Sequence, residues 1–210
     1  MQKQFGLGIF PKSDETASRK HVIGLARLER KNAKQGHLKL WANNGETSLE
    51  RYHTIDTNGH LISLEKELLR AIRQNQSGLP LKVIDITFGT GKQWVNFLIK
   101  HKLELGKHLE LHGAAFTTIP VVEELKGNVK ACLASKLYKK FPANYFDFVV
   151  SNAGPYHELR ANIENAIHIT KQNGEIMLSH GDRVIIPEND IVQEIGIRSG
   201  YVRLKKLRTT

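Results

Sequence analysis

A short glycine-rich segment, VIDITFGTGKQW at residues 83–94, has the composition of a ligand-binding turn. An apolar, strand-like run ends at Asp85, and Thr87, Gly89 and Gly91 follow it. Because glycine has no Cβ, the backbone can turn tightly and approach a ligand closely, with the amides of the next helix directed at it. Asp85 can accept hydrogen bonds from a cationic or hydroxyl-bearing ligand. The segment predicts a ligand site, although a plain strand-to-helix turn also explains two alternating glycines.

A second polar segment, SNAGPYHE at residues 151–158, follows another strand-like run. Asn152 can accept a hydrogen bond from a substrate amine and so orient its lone pair for in-line attack. Tyr156 can stack on a planar base, and His157 or Glu158 can remove a proton. These residue types predict a catalytic loop. The alternative is a polar loop that only begins a helix.

The two segments belong to a region, beginning near residue 80, in which strand and helix patterns alternate. The predicted strands lie at about residues 83–86, 109–114, 129–133, 146–151, 175–179 and 201–207. The predicted helices lie at 92–105, shortly after Pro120, from 159 to a stop at Gly174, and at 189–200. Repeated β-α units with nearly continuous apolar strands predict a mostly parallel sheet with helices on both faces. Ligands of such sheets bind at the carboxyl ends of the strands, where the strand order reverses.

The region before residue 80 has a different pattern. Two strand-like pieces, HLKLW at 37–41 and LERYHTI at 49–55, precede a hairpin signal at 56–59, and Ser63 can cap a helix that ends near Gly78. We therefore expect two parts: residues 1–79 as a small β-hairpin and helix extension packed on the core, and residues 80–210 as the α/β domain.

The formal net charge of +10 predicts attraction to polyanions. The basic residues are clustered, and the N-terminal cluster predicts phosphate contacts by Arg19, Lys20, Arg27, Arg30, Lys31 and Lys34. Further clusters contain Lys136, Lys139 and Lys140, and then Arg203, Lys205, Lys206 and Arg208. Nucleic-acid binding and a merely solvated basic surface are both compatible with these patterns.

Other classes of protein are disfavoured. Cys132 is alone, so no intrachain disulfide can form, and the histidines lack metal-ligand spacing on one helix face. No apolar run approaches the roughly 18 residues of a membrane helix, and the first residues lack a signal-peptide pattern. We expect a cytoplasmic protein without a membrane or metal partner.

Taken together, VIDITFGTG, FDFVVSN and ITKQNGEIMLS resemble the first nucleotide-binding motif, the fourth strand and the fifth strand of class I S-adenosylmethionine-dependent methyltransferases. The similarity covers about residues 80–207. It implies a seven-stranded Rossmann-like sheet whose glycine loop wraps the methionine and ribose portions of S-adenosylmethionine. TFGTG and LELHGAAF also weakly resemble transfer-RNA aminomethyl-uridine methyltransferases, which likewise have a β-rich piece before the sheet.

The resemblance assigns roles to particular residues. It implies a cofactor-binding set at the turn and the strand ends: Asp85, Thr87, Gly89, Gly91, Ser135 and Ser151. Thr87 stands where the family has its first glycine, and its hydroxyl can bond the cofactor carboxylate. The segment after the fourth strand, which faces the transferred methyl group in the family, implies Asn152, Tyr156 and His157 as catalytic residues.

Two positions depart from the family pattern. The family has an acid at the end of its second strand to hold the ribose, whereas the only acid here, Glu110, comes too early, and Ser135 replaces an acid near the adenine. The expected function is a methyltransferase acting on RNA, with transfer RNA as one such substrate. A methyltransferase-like binding module without catalysis and a small-molecule methyltransferase are the alternatives.

Overall fold

The computed structural model describes residues 48–50, 52–56, 58–115, 123–132, 134–151, 159–179, 191–198 and 201–208. The strand expected at 37–41 lies outside these residues. The described strands are β1 His53–Ile55, β2 Leu61–Ser63, β3 Leu81–Asp85, β4 Leu109–Ala115, β5 Val129–Ala131, β6 Phe146–Ser151, β7 Thr170–Ser179, β8 Val192–Arg198 and β9 Tyr201–Lys206. The α-helices are α1 Leu64–Gln74, α2 Lys92–His101 and α3 Leu159–Ile169, and 3-10 helices span Glu123–Asn128 and Ala134–Lys139. No helix among the described residues is long and apolar enough to cross a membrane.

Seven strands form one sheet in the order β5-β4-β3-β6-β7-β9-β8. The pairs from β5 through to β7 are all parallel, whereas β9 runs antiparallel to both of its neighbours. The prediction of a mostly parallel sheet, with the first five strands of the α/β region parallel, is therefore confirmed.

Each face of the sheet carries its own hydrophobic core, because successive strand residues point to opposite faces. Val83 packs in the core formed with α1 and α2, where Leu68 and Phe97 are buried. Ile84 packs in the core on the other face, which includes Ile163 from α3. Helices therefore cover both faces, as the alternating pattern predicted.

The hairpin and helix that precede the sheet form where they were predicted, but β1 is shorter than the expected strand at 49–55, because Leu49 and Glu50 lie in a turn. Strands β1 and β2 pair antiparallel, and the Asp56 carboxylate accepts the backbone N–H groups of Asn58 and His60 in the turn. The Ser63 hydroxyl caps α1 by accepting the N–H of Lys66. Leu49, before the hairpin, is buried in the same core as α1 and α2. The division into residues 1–79 and 80–210 remains a prediction.

The expected helix stop at Gly174 is wrong. Helix α3 ends at Ile169 and strand β7 begins at the next residue. A Cβ on Gly174 would lie 2.9 Å from the carbonyl oxygen of Asp147, and the pairing of β6 with β7 shifts register between Phe146 and Phe148. Gly174 therefore permits close approach of two strands at an irregularity, a role glycine often has in sheets.

The helix expected at 189–200 is also wrong, because β8 occupies residues 192–198 and pairs with β9. Its β-branched residues favour a strand, and pairing at the sheet edge overrides the helical spacing. Gly196 lies at a register shift, where a Cβ would stand 3.1 Å from the Cγ2 of Ile55 in the hairpin.

Two other elements are shorter than expected. Helix α2 ends at His101 because Lys102 takes a left-handed conformation, with φ 52°, and β5 ends at Ala131. The expected helix after Pro120 appears as the 3-10 helix Glu123–Asn128.

Candidate functional site

The candidate site lies at the carboxyl edge of the two central strands. Strand order reverses between β3 and β6, since the chain continues from β3 to β4 and β5 on one side and from β6 to β7 on the other. Asp85 pairs with Val150 at the ends of these strands, and the hydroxyl oxygens of Thr87 and Ser151 lie 3.4 Å apart. The glycine turn and the start of the predicted catalytic loop therefore meet at the position where α/β sheets bind ligands.

Asp85 is buried beneath the turn and organises it. One carboxylate oxygen accepts the indole N–H of Trp94 at 2.9 Å, and the other accepts the backbone N–H of Thr87 at 2.8 Å and its hydroxyl at 3.1 Å. Burial raises the pKa of the Asp85 carboxyl, while these hydrogen bonds oppose the increase. Asp85 thus connects the end of β3 to the first turn of α2. Its direct contact with a ligand remains a prediction.

The two glycines of the turn have different surroundings, although both have positive φ. At Gly89, with φ 57°, a Cβ would meet only the Thr87 carbonyl oxygen, at 3.9 Å, among the residues that the structure describes. At Gly91, with φ 81°, a Cβ would lie 2.6 Å from the Phe88 ring and 3.1 Å from Leu125. Gly91 therefore serves packing within the protein, and the space beside Gly89 is open to a ligand.

Phe88 supports the turn from the side of the sheet, a role that no local sequence pattern indicates. Its ring is buried, and a Cβ on Gly113 of β4 would lie 2.5 Å from it. Its carbonyl accepts the side-chain amide of Gln93 at 2.9 Å. The Phe88 ring fits here because neither Gly91 nor Gly113 has a side chain. These two glycines together therefore set the height of the turn above the sheet.

The 3-10 helix Glu123–Asn128 brings two acids toward the carboxyl edge of the sheet. Leu125 is buried against Gly91, and Glu123 and Glu124 precede it at the exposed start of this helix. The family pattern is a weak indication of these acids, since it places an acid at the end of β4, where the sequence has only Glu110 within the strand. Glu110 lies instead at the start of β4, beside Lys82 at the opposite edge, where it accepts the Tyr145 hydroxyl and contacts His112.

The remaining predicted residues are placed only in part. Ser151 is buried at the end of β6, and Ser135 lies in the 3-10 helix after β5, with its side chain outside the described part. The predicted catalytic residues Asn152, Tyr156 and His157 are outside the described residues. The predicted phosphate contacts also lie outside them: Arg19, Lys20, Arg27, Arg30, Lys31 and Lys34.

Comparison with solved structures identifies the fold. A Burkholderia thailandensis 1,6-didemethyltoxoflavin-N1-methyltransferase, solved with S-adenosylhomocysteine, is 13% identical over 91% of each chain, with a TM-score of 0.54. A Streptococcus thermophilus rRNA methylase is 16% identical over 69% of this chain and 94% of its own, with a TM-score of 0.47. A Haemonchus contortus phosphoethanolamine N-methyltransferase is 16% identical, with a TM-score of 0.41, but only 31% of its length is covered. No protein-family profile and no curated protein matches the sequence.

The Burkholderia comparison spans nearly the whole of both chains, so it defines the architecture. The protein has the Rossmann-like fold of class I methyltransferases, as the resemblance implied. At this level of identity the comparison identifies the fold alone, and the substrate and activity are argued separately below.

Proposed function

We propose that the protein is an S-adenosylmethionine-dependent methyltransferase. The observation that carries the proposal is the open space beside Gly89, at the carboxyl edge where β3 and β6 diverge. A side chain would fill this space, so the turn has the form of a cradle for a ligand. The Burkholderia enzyme of the same fold was solved with S-adenosylhomocysteine, the demethylated product of that cofactor.

The residues of the turn fit this cofactor. The Thr87 hydroxyl lies at the edge and would turn from Asp85 to donate to the cofactor carboxylate, and the amides beside Gly89 would hold the methionine portion. Asp85 holds the turn in place through its hydrogen bonds to the Thr87 N–H and the Trp94 indole. We assign the ribose hydroxyls to Glu124 or Glu123, and the adenine to the neighbourhood of Ser135. The cofactor supplies a methyl group on a sulfonium, a leaving group that needs no further activation.

The loop that follows Ser151 then has to position the acceptor. We propose that Asn152 accepts a hydrogen bond from the substrate amine, Tyr156 stacks on a planar base and His157 takes up the proton. Since the leaving group is already good, positioning is the main contribution that these residues can make.

We further propose RNA as the substrate, with transfer RNA as one example, in the cytoplasm. The net charge of +10 and the N-terminal basic cluster support a polyanion. A small-molecule substrate is the second candidate, because the Burkholderia enzyme is named for one. A binding module without catalysis is the third, since Glu110 lies at the wrong edge to hold a ribose.

Calorimetry with S-adenosylmethionine and S-adenosylhomocysteine tests the proposal on the parent and on Gly89→Val. The expected result is binding by the parent and a loss of at least about 100-fold in Gly89→Val, because valine fills the cradle. Gly78→Val is the matched control, since Gly78 also has positive φ, 72°, and no described atom within 4 Å of a Cβ, but it lies before β3, at the opposite end of that strand from the turn. A parent that binds neither compound would refute the cofactor assignment.

Two further measurements separate the roles. Glu124→Gln and Glu123→Gln should identify the ribose ligand, because only the residue that holds the ribose should weaken binding when its charge is removed. Transfer of a radiolabelled methyl group to total RNA should be lost in Asn152→Ala while cofactor binding is kept. Methylation of a small-molecule fraction instead of RNA would favour the second candidate.

A further inference from the structure

The segment from residue 125 to residue 146 is strongly basic and contains five lysines but no aspartate or glutamate. Four of these lysines are exposed, and they lie on β5, on the following 3-10 helix and just after it: Lys130, Lys136, Lys139 and Lys140. We call these four residues together with Tyr138 the lysine-tyrosine patch.

The fold brings the two ends of this segment together. The Lys130 ammonium donates to the Lys140 carbonyl oxygen at 2.9 Å and lies 4.7 Å from the centre of the buried Phe141 ring. Ten residues of chain therefore fold back so that lysines from β5 and from the turn after the 3-10 helix become neighbours.

These lysines are not neutralised within the described part of the chain. None of the four makes an ion pair with a carboxylate there, whereas Lys107 and Lys171 are paired with Glu104 and Asp147, both at 2.8 Å. Neighbouring ammonium groups without counter-charges are costly unless water or an anionic partner compensates them, so the patch favours binding of a polyanion.

Tyr138 adds a feature that a merely solvated basic surface does not need. It is 51% exposed, yet its backbone is fixed, because its N–H donates to the Asn165 side chain of α3 at 3.0 Å. The Lys139 ammonium lies 5.6 Å from the centre of its ring. An exposed aromatic ring among lysines is the arrangement on which nucleic-acid bases stack while their phosphates meet the cations.

The patch adjoins the candidate site. The 3-10 helix Ala134–Lys139 begins shortly after the carboxyl end of β5, and β5 is separated from β3 only by β4. Two strand spacings are about 10 Å, which is the length of a few nucleotides at most. A single strand that leaves the patch at the start of this helix would therefore need only a few nucleotides to reach the glycine turn.

We propose that the lysine-tyrosine patch binds a single-stranded polynucleotide and leads it to the carboxyl edge of the sheet. This deepens the proposed function, on which it rests for the identity of the strand as RNA substrate. Phosphates bind the lysines and one base stacks on Tyr138. An anionic membrane surface would use the charges but has no base for the tyrosine.

Fluorescence anisotropy with a labelled 15-nucleotide RNA, and with a DNA of the same sequence, tests this on the full chain. The patch variant is Lys136→Glu, Lys139→Glu and Lys140→Glu. The matched control is Lys66→Glu, Arg73→Glu and Lys102→Glu, which makes the same change of net charge at exposed positions of α1 and after α2. Tyr138→Ala tests stacking separately.

The patch variant should lose at least about tenfold in affinity and show a smaller salt slope, by roughly 0.7 for each phosphate contact removed. The control should lose much less. Tyr138→Ala should weaken binding by about fivefold or more at every salt concentration, as expected for loss of one stacked base. Equal losses in patch variant and control, or no loss in Tyr138→Ala, would overturn the proposal. So would tight binding to phosphatidylserine vesicles without binding to the oligonucleotides.

Calorimetry with S-adenosylmethionine on the same variants separates the two proposals. The patch variant should bind the cofactor as the parent does. If the parent binds RNA through the patch but never binds the cofactor, the methyltransferase function fails and the polynucleotide surface stands. Stronger binding of DNA than of RNA would leave the surface valid and overturn its assignment to an RNA substrate.

Discussion

Two basic clusters look alike in the sequence but differ in burial: the first is exposed, whereas the second has two buried members, one half-buried member, Lys205, and one exposed member, Arg208. Lys136, Lys139 and Lys140 are exposed, and no carboxylate in the described part of the chain pairs with them. Arg203 and Lys206, in contrast, have 1% and 0% of their surface exposed. The density of lysine and arginine along a sequence therefore does not show whether the charges are available to a partner.

The difference follows from the place of each segment in the sheet. Strand β9 lies between β7 and β8 and is covered on both faces, so its charged side chains must find partners inside the protein. Arg203 donates to Glu175 at 2.7 Å, to Glu67 of α1 at 2.8 Å and to the Ile55 carbonyl of the hairpin at 2.8 Å. It thereby joins the N-terminal hairpin and helix to the sheet.

Lys206 has a comparable role on the other face. Its ammonium donates to the carbonyls of Ile167 and Thr170, at 2.8 and 2.9 Å, and to the Asn144 side chain at 2.7 Å. The last carbonyls of a helix have no partner within it, and a cation is favourable there. Lys206 therefore stabilises the abrupt change from α3 to β7.

Among substitutions in the two clusters, replacement of Arg203 should have the largest effect on stability. Arg203→Met leaves Glu67 and Glu175 without their buried cation and should lower the free energy of unfolding by about 3 kcal/mol or more. Urea denaturation measures the change. In the exposed cluster, Lys136→Met should change it by less than about 0.5 kcal/mol.

Partial recovery of stability in a combined variant would show that an unpaired carboxylate causes the loss in Arg203→Met. Glu67 keeps its ion pair with Arg70 at 2.7 Å, so adding Glu175→Gln to Arg203→Met removes the carboxylate that has lost its partner and should restore part of the stability. If Arg203→Met alone is as stable as the parent, the ion pairs do not join the hairpin and helix to the sheet.

The next largest effect is expected at Lys206. Lys206→Met removes the donor to the carbonyls of Ile167 in α3 and Thr170 in β7 and should cost about 1–3 kcal/mol, because these buried acceptors then lose this partner. Hydrogen exchange should increase most in the last turn of α3. Lys140→Met is the control, and a uniform increase across the sheet would contradict a local capping role.

The stability of the protein should also depend on pH through the buried Lys206, and this effect should be smaller. Burial lowers the pKa of Lys206 below its ordinary 10.5. Between the lowered pKa and 10.5 the folded protein binds fewer protons at this group than the unfolded chain, so its contribution to stability increases with pH. The stability difference between the parent and Lys206→Met should therefore become larger on raising the pH from neutrality into that range. An unchanged difference would show that Lys206 stays equally charged in both states.

The alternation of strand and helix patterns was enough to predict the parallel sheet and the position of the turn, because apolar strands and glycine turns have local signatures. The height of that turn above the sheet depends on Phe88 packing against Gly113, a residue 25 positions away. A contact between residues so far apart cannot be predicted from a local sequence pattern. The predicted cofactor residues at Thr87 and Ser151 do meet, since both follow central strands.

The wrong predictions have the same origin. A helix was expected to continue to Gly174, but its end depends on Lys206, which reaches it from β9. A helix was also expected at residues 189–200, where pairing with β9 produces a strand. The acids that we assign to the ribose come only after residues 116–122, whereas the family pattern places an acid at the end of the strand itself.

The smallest expected effect lies in the exposed cluster and has the opposite sign. Lys139 belongs to a segment of five lysines without an acid, so Lys139→Glu relieves repulsion and should raise the free energy of unfolding by about 0.3 kcal/mol at low salt. The gain should disappear at about 0.5 M salt, because exposed charges are then screened. Lys107→Glu is the matched control, since it replaces a cation that is paired with Glu104 at 2.8 Å and should destabilise the protein at low salt. Thermal unfolding at the two salt concentrations measures both changes. If Lys139→Glu is destabilising in the same way as Lys107→Glu, the lysines of the exposed cluster have carboxylate partners elsewhere in the chain, and the contrast between the two basic clusters is smaller than the described residues indicate.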